Sequence, residues 1–178
     1  MRFDTHDELI DAVAQNYLNQ EEQDLTDEYR ALGQYNEQRF EDIPVDVEFT
    51  SDDPYKNAAE LFQDIEENDR LEIFDGGTHP DGMTHEQNIK GRAVHDYFGH
   101  YMNRVDFSLE GEFQKYDAQR HDVPDQCEDL LFAEVVGQTA LVHHLDDGFA
   151  DPEFRQRNVL ISDELQDAAE TYLSEAVN

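Results

Sequence analysis

Cysteine occurs once in the 178 residues, at Cys127, which excludes an internal disulfide and any zinc cluster built on several thiolates. Positive charge is equally scarce. There are 12 basic residues against 44 acidic ones, a formal charge of −32, and only Lys56, Lys90 and Lys115 are lysines. Such a balance argues against a cationic face that reads nucleic acid directly. No apolar run approaches the roughly 20 residues of a membrane-spanning helix, and the opening MRFDTHDELI has neither the basic nor the apolar region of a signal peptide. These absences predict a soluble, cytoplasmic protein with no membrane partner.

What is present is acid interleaved with periodic apolar residues: Leu9, Ile10, Val13 and Tyr17 early, and Leu130, Leu131, Val135 and Val142 late. Low hydropathy with high charge is a mark of disorder, but this periodicity is that of a folded chain. The acids are spread over every segment and do not form one stripe. Replacement of surface lysine by Asp and Glu suits a salt-rich cytoplasm, where the Debye length falls to about 3 Å at molar salt and self-repulsion is screened. A halophilic origin is therefore the reading favoured over an acidic mimic of nucleic acid.

The local pattern predicts one mainly α-helical domain over residues 1–178 with a small β element, an α+β fold whose two strands form a hairpin or ribbon. Thr5-x-x-Glu8 is a capping box for a helix over 6–20, and a second helix is expected over 26–40. Val45 to Phe49 alternates with period two, as a half-buried strand does, and Leu71 to Phe74 is its expected partner. Ser51-Asp52-Asp53-Pro54 reads as the start of a helix over 54–67. Thr84-x-x-Gln87 caps a helix that runs into GRAVHDYFGHYM, residues 91–102. Further helices are expected over 109–120, over 125–145 until Asp146-Asp147-Gly148 stops the run, and after Ser162.

The motif GRAVHDYFGHYM places His95 and His100 five residues apart. On an unbroken α-helix that spacing turns them about 140° from one another, so a shared ligand requires the helix to end or bulge near Gly99. A third ligand candidate is Glu134, whose neighbours Leu130, Leu131, Phe132, Ala133, Val135 and Val136 predict a buried helix. A buried, unpaired carboxylate is costly enough to demand a partner. That partner is either a metal ion or an arginine such as Arg92 or Arg104. Gln138, one turn on, is placed to orient Glu134 or a bound water. Asp96 and Glu112 are candidates for proton transfer, although Glu112 and Glu110 at a helix start also have a plain electrostatic explanation. His79, His143 and His144 carry weaker signals, and His6, His85 and His121 carry none.

His-Asp-Tyr-Phe-Gly-His followed by Phe-Ala-Glu-Val-Val-Gly resembles the iron site of aromatic amino acid hydroxylases. The resemblance covers about 45 residues, including the placement of Phe107 and Phe113, and contains no recognisable pterin-binding segment. It implies His95, His100 and Glu134 as iron ligands. A longer resemblance, over residues 44–161, is to a family met in phage and mobile-element proteins. It is carried by Arg92 to His100, Gly111-Glu112, Glu134, Gly137-Gln138, and by DPYKNAAELFQDI and THPDGM upstream. That resemblance implies a viral or virus-derived origin and a single site formed by these polar positions.

Two histidines and one carboxylate make the facial set of non-haem iron(II) oxygenases. The expectation is a small metalloenzyme, Fe(II)-dependent and oxygenase- or hydroxylase-like, acting on a small-molecule or protein substrate. A zinc-dependent hydrolase using the same set is the alternative. A non-catalytic acidic protein that occupies a partner's nucleic-acid site is a third.

Overall fold

The computed structural model describes residues 1–176, and the helices follow the periodicities closely. Helix α1 (His6–Asn19) begins where Thr5 Oγ1 accepts the Glu8 amide, and it buries Leu9, Val13, Ala14 and Tyr17. Helix α2 spans Thr26–Phe40. Strand β1 (Asp46–Thr50), helix α3 (Ala58–Asn68) and strand β2 (Arg70–Phe74) follow. Asn57, not Ser51, caps α3, its side chain accepting the Glu60 amide, so the helix starts four residues later than Pro54 suggested.

The two strands pair as expected, but in parallel, with Asp46 opposite Arg70 and Thr50 opposite Phe74. A hairpin is excluded because α3 lies between the strands and returns the chain to the same end, a βαβ crossover in miniature. Helix α4 (His85–Val94) opens on a complete capping box between Thr84 and Gln87. Helix α5 spans Leu109–Gln119, α6 Glu128–Phe132, α7 Gln138–His144 and α8 Asp163–Ala176. The fold is thus mainly helical with one small parallel sheet.

Among the described residues two stretches are π-helical, and they are the two that carry the motifs. His95–Tyr101 continues α4 as π-helix, the Met102 amide reaching Tyr97 O five residues back. Ala133–Gly137 joins α6 to α7 in the same way, with the Gln138 amide bonded to Ala133 O. The run over 125–145 is therefore one rod with an internal π-bulge, entered through a 3-10 turn at Asp125–Cys127. Such bulges widen the turn by one residue and shift side chains around the axis.

Two apolar clusters hold these parts together. The larger joins α1, α2 and α5 to α8 around Tyr17, Tyr29, Tyr116, Phe132 and Leu141. The smaller packs Leu61, Ile65, Leu71 and Ile73 against Ala93 and Tyr97. Helix α5 stands between the two π-helical segments and contacts both, so its polar side chains meet whatever those segments present. Among the described residues, no helix is long and apolar enough to cross a membrane.

Candidate metal centre

The bulge required near Gly99 is there, and it brings the two histidines together. His95 Nε2 and His100 Nε2 are 2.8 Å apart. Backbone carbonyls freed by the π turn are taken up by Asn103, whose Nδ2 donates to Phe98 O at 2.8 Å and Gly99 O at 2.9 Å. The chain then reverses through Arg104 in the left-handed region (φ 57°). This returns Val105 to His100, where the Val105 amide donates to His100 O at 3.2 Å and Val105 O lies 3.2 Å from His100 Nδ1. A carbonyl can only accept, so His100 Nδ1 carries the proton of that bond and the neutral ring has its Nε2 lone pair facing His95. That is the tautomer a metal ligand needs. Phe107 closes the other side, its ring edge-on to His100 with centroids 4.7 Å apart.

The third member comes from α5. Ser108 Oγ accepts the Gly111 amide and caps the helix. Gly111 lets the preceding loop lie against the first turn, since a Cβ there would stand 2.1 Å from Asp106 O. Glu112 consequently points at the histidines, with Oε1 3.1 Å from His100 Nε2 and Oε2 3.5 Å from His95 Nε2. The donor atoms of His95, His100 and Glu112 all lie within 4.8 Å of one another, a set that can hold one metal ion. Glu112 Oε2 is buried and has no hydrogen-bond partner.

The fit to an ion follows from simple geometry. Ligand atoms about 2.1 Å from a metal stand about 3.0 Å apart in an octahedral arrangement and about 3.4 Å apart in a tetrahedral one. The 2.8 Å between the two Nε2 atoms and the 3.1 Å from Glu112 Oε1 to His100 Nε2 are near the first value, while the 3.5 Å approach to His95 is made by the other carboxylate oxygen. Electrostatics agree. Burial, helped by Lys115, pushes His95 down to about 4, so the ring is neutral near pH 7. Burial opposes charge on His100, but the Glu112 bond and the charges of Glu112 and Asp96 outweigh it and raise its pKa. Burial likewise opposes ionisation of Glu112, and His95 and His100 overcome it, holding the carboxyl below the usual range. The metal-free cluster is thus an anionic carboxylate facing two imidazoles.

Glu134, expected as the third ligand, is not in the group whose donor atoms come together. Its Oε1 accepts from Tyr29 OH at 2.8 Å and its Oε2 from Gln156 Nε2 at 3.0 Å. Neither arginine weighed as its partner reaches it. Arg92 Nη1 donates to Phe74 O and Gly76 O, and Arg104 pairs with Glu66. Burial drives the Glu134 carboxyl up to about 7, against the pull of Tyr29, Gln138, Gln156 and Lys115. Gln138 lies beside Glu134 and Tyr17, yet its buried Nε2 forms no hydrogen bond of good geometry. Asp96 is next to the cluster without joining it, and burial, reinforced by Glu112 and Asp53, raises it to about 7.

The remaining histidines are outside the centre. His79 packs near His85, ring centroids 6.3 Å apart, and His144 bonds Asp11 at 2.8 Å on the surface. One buried residue of the region was not singled out from sequence: Lys115, 2% exposed. The available signal was its scarcity, one of three lysines, at i+3 from Glu112 on a helix whose Leu109, Phe113 and Tyr116 face inward. No protein-family model, curated protein sequence or solved structure matches the chain.

Proposed function

We propose that the chain is a small metal-dependent enzyme that holds one divalent ion with His95, His100 and Glu112. One observation carries the reading: the buried, unpartnered Oε2 of Glu112 opposite two imidazole Nε2 atoms 2.8 Å apart. The two nitrogens can share one proton as a hydrogen bond, which still leaves the buried Glu112 Oε2 without a partner, whereas one cation would meet the nitrogens and the carboxylate together. Three donors on one side of the ion leave the opposite side for substrate, the facial pattern of iron(II) oxygenases. Iron(II) and oxygen-dependent hydroxylation are the metal and reaction that this pattern, and the resemblance of HDYFGH to the hydroxylase site, support best. When bound, the ion supplies a Lewis acid and a redox centre.

The protein's own contribution is separable from the ion's. Val105 O fixes the His100 tautomer, Phe107 fixes its ring plane, and Glu112 provides the single negative charge of the set. Asp96, with its carboxyl near neutrality, is suited to take and return a proton at the edge of the site. That same property favours a second reading, zinc-dependent hydrolysis with Asp96 activating water. The acid-rich surface supports a salt-loaded cytoplasm as the working environment, whether the protein is cellular or virus-encoded.

The test is elemental analysis of protein purified at high salt without an immobilised-metal column, followed by oxygen-uptake measurement. The expected result is one iron per chain, absent from Glu112→Gln and from the His95→Ala, His100→Ala double variant. Stoichiometric metal that survives the double variant rejects the ligand set. Zinc in place of iron, with no oxygen uptake above free iron(II), rejects the oxygenase reading and leaves the hydrolase.

A further inference from the structure

A buried cation beside the centre has no assigned task. Lys115 lies one turn beyond Glu112 on α5, on the same side of that helix, and is 2% exposed. Its stem runs against the π-helical backbone immediately before His100. A Cβ on Gly99 would stand 2.3 Å from Lys115 Cγ, 3.1 Å from Cε and 3.3 Å from Cδ. Glycine at 99 therefore serves the lysine as much as the bulge. From that position the ammonium acts electrostatically on His95, His100 and Asp96 and feels Glu112, Asp96 and Glu134 in turn.

Burying an ammonium costs several kcal/mol unless an anion meets it closely. Lys90, by comparison, pairs with Glu86 at 2.8 Å. Among the described residues no carboxylate oxygen comes within 4.0 Å of Lys115 Nζ, although three acids lie near enough to sense it. A side chain held only to neutralise those acids would be expected to touch one of them. The ammonium instead lies close to the centre without a carboxylate in ion-pair contact.

Charge arithmetic says what would meet it. A divalent ion on neutral His95 and His100 and anionic Glu112 leaves one positive charge, and Lys115 adds a second beside it, with Asp96 and Glu134 the other acids near enough to act on the lysine. A metal ion and an ammonium side by side are completed by an anion that meets both. We propose that Lys115 and the metal ion together form an anion-binding site, which takes the carboxylate, or another small oxyanion group, of the substrate. This rests on the metal reading above. Lys115 is then a binding residue: its ammonium donates to the anion's outer oxygen while the ion holds the inner one, fixing the substrate's orientation on the open side.

The experiment uses the cobalt(II)-loaded full-length protein, whose visible absorption reports the metal's ligands, titrated with azide and with acetate. Wild type is compared with Lys115→Met, which keeps the stem, and with Lys115→Gln as a second variant should the first fold poorly. The expected result is cobalt(II) bound at least as tightly in the variants, because a neighbouring positive charge is gone, while both anions bind about tenfold to a hundredfold more weakly. Anion affinities within twofold of wild type in cobalt-loaded variants overturn the inference. Loss of cobalt(II) from both variants also overturns it, by showing that Lys115 supports the ligands and not the substrate. Failure of the wild type to bind cobalt(II) at all overturns the metal reading itself.

Discussion

Glu134→Gln separates two roles that one buried carboxylate can have. As a proton-binding core group, Glu134 has its carboxyl raised from the ordinary 4.5 to about 7, chiefly by burial. The native state then keeps a proton that the unfolded chain releases between about pH 4.5 and 7, so wild-type stability falls as pH rises through that window and is level above it. A shift of about 2.5 units corresponds to about 3 kcal/mol, and partial solvent access at Glu134 reduces this to about 2 kcal/mol. Glutamine has no proton to lose. Its carbonyl can still accept from Tyr29, and Gln156, turned over, can offer its own oxygen to the new amide.

The expected outcome is a variant that matches wild type near pH 4.5 and exceeds it by about 2 kcal/mol at pH 8, with metal affinity unchanged. The assay is urea unfolding at constant high salt across pH 5 to 8, with metal stoichiometry measured on the same samples. A stability difference independent of pH would show that the carboxyl is ionised in the native state throughout. A tenfold loss of metal affinity in Glu134→Gln would place Glu134 among the ligands and refute the placement of Glu112 as the sole carboxylate of the set.

Gly99→Ala forces the new Cβ against Lys115 Cγ and is expected to cost about 1–3 kcal/mol by overpacking; an unfolding midpoint unchanged from wild type would refute the close approach. Asn103→Ala removes two bonds to the carbonyls of Phe98 and Gly99, for an expected loss of about 1–2 kcal/mol and faster amide exchange across residues 98–105. With a net charge of −32, the urea midpoint should rise steadily as KCl is raised from low ionic strength, and a flat dependence would remove self-repulsion as a destabilising factor.

The helices were legible because their signals are local: caps at Thr5, Thr84 and Ser108 and apolar residues at helical spacing. The start of α3 was misplaced because Ser51-Asp52-Asp53-Pro54 and Asn57 both offer caps, and Asn57 wins by leaving room for Tyr55 OH to bond Asp64 and the Glu72 amide. The parallel order of the strands follows from α3 itself, since a helix between two paired strands carries the chain back before the second begins.

The centre was legible in its histidines and less so in its carboxylate, for a physical reason. His95 and His100 belong to one helix, so helical geometry alone demands the bulge at Gly99, and the π turn with Asn103 satisfies that demand. The carboxylate lies on another element, and which acid arrives depends on how α5 and the α6–α7 rod pack, which no local pattern encodes. Glu134 looked stranded because its flanks are apolar on every side, yet Tyr29, 105 residues earlier, supplies a donor. Glu112 looked explained because a carboxylate in the first turn of a helix is favoured by the dipole. Helix start and apolar surroundings are properties of the local chain, whereas an orphaned oxygen is a property of the packed molecule. It is the unpartnered Oε2 of Glu112, together with the buried Lys115 on the same helix, that marks α5 as the element bringing charge to the histidines.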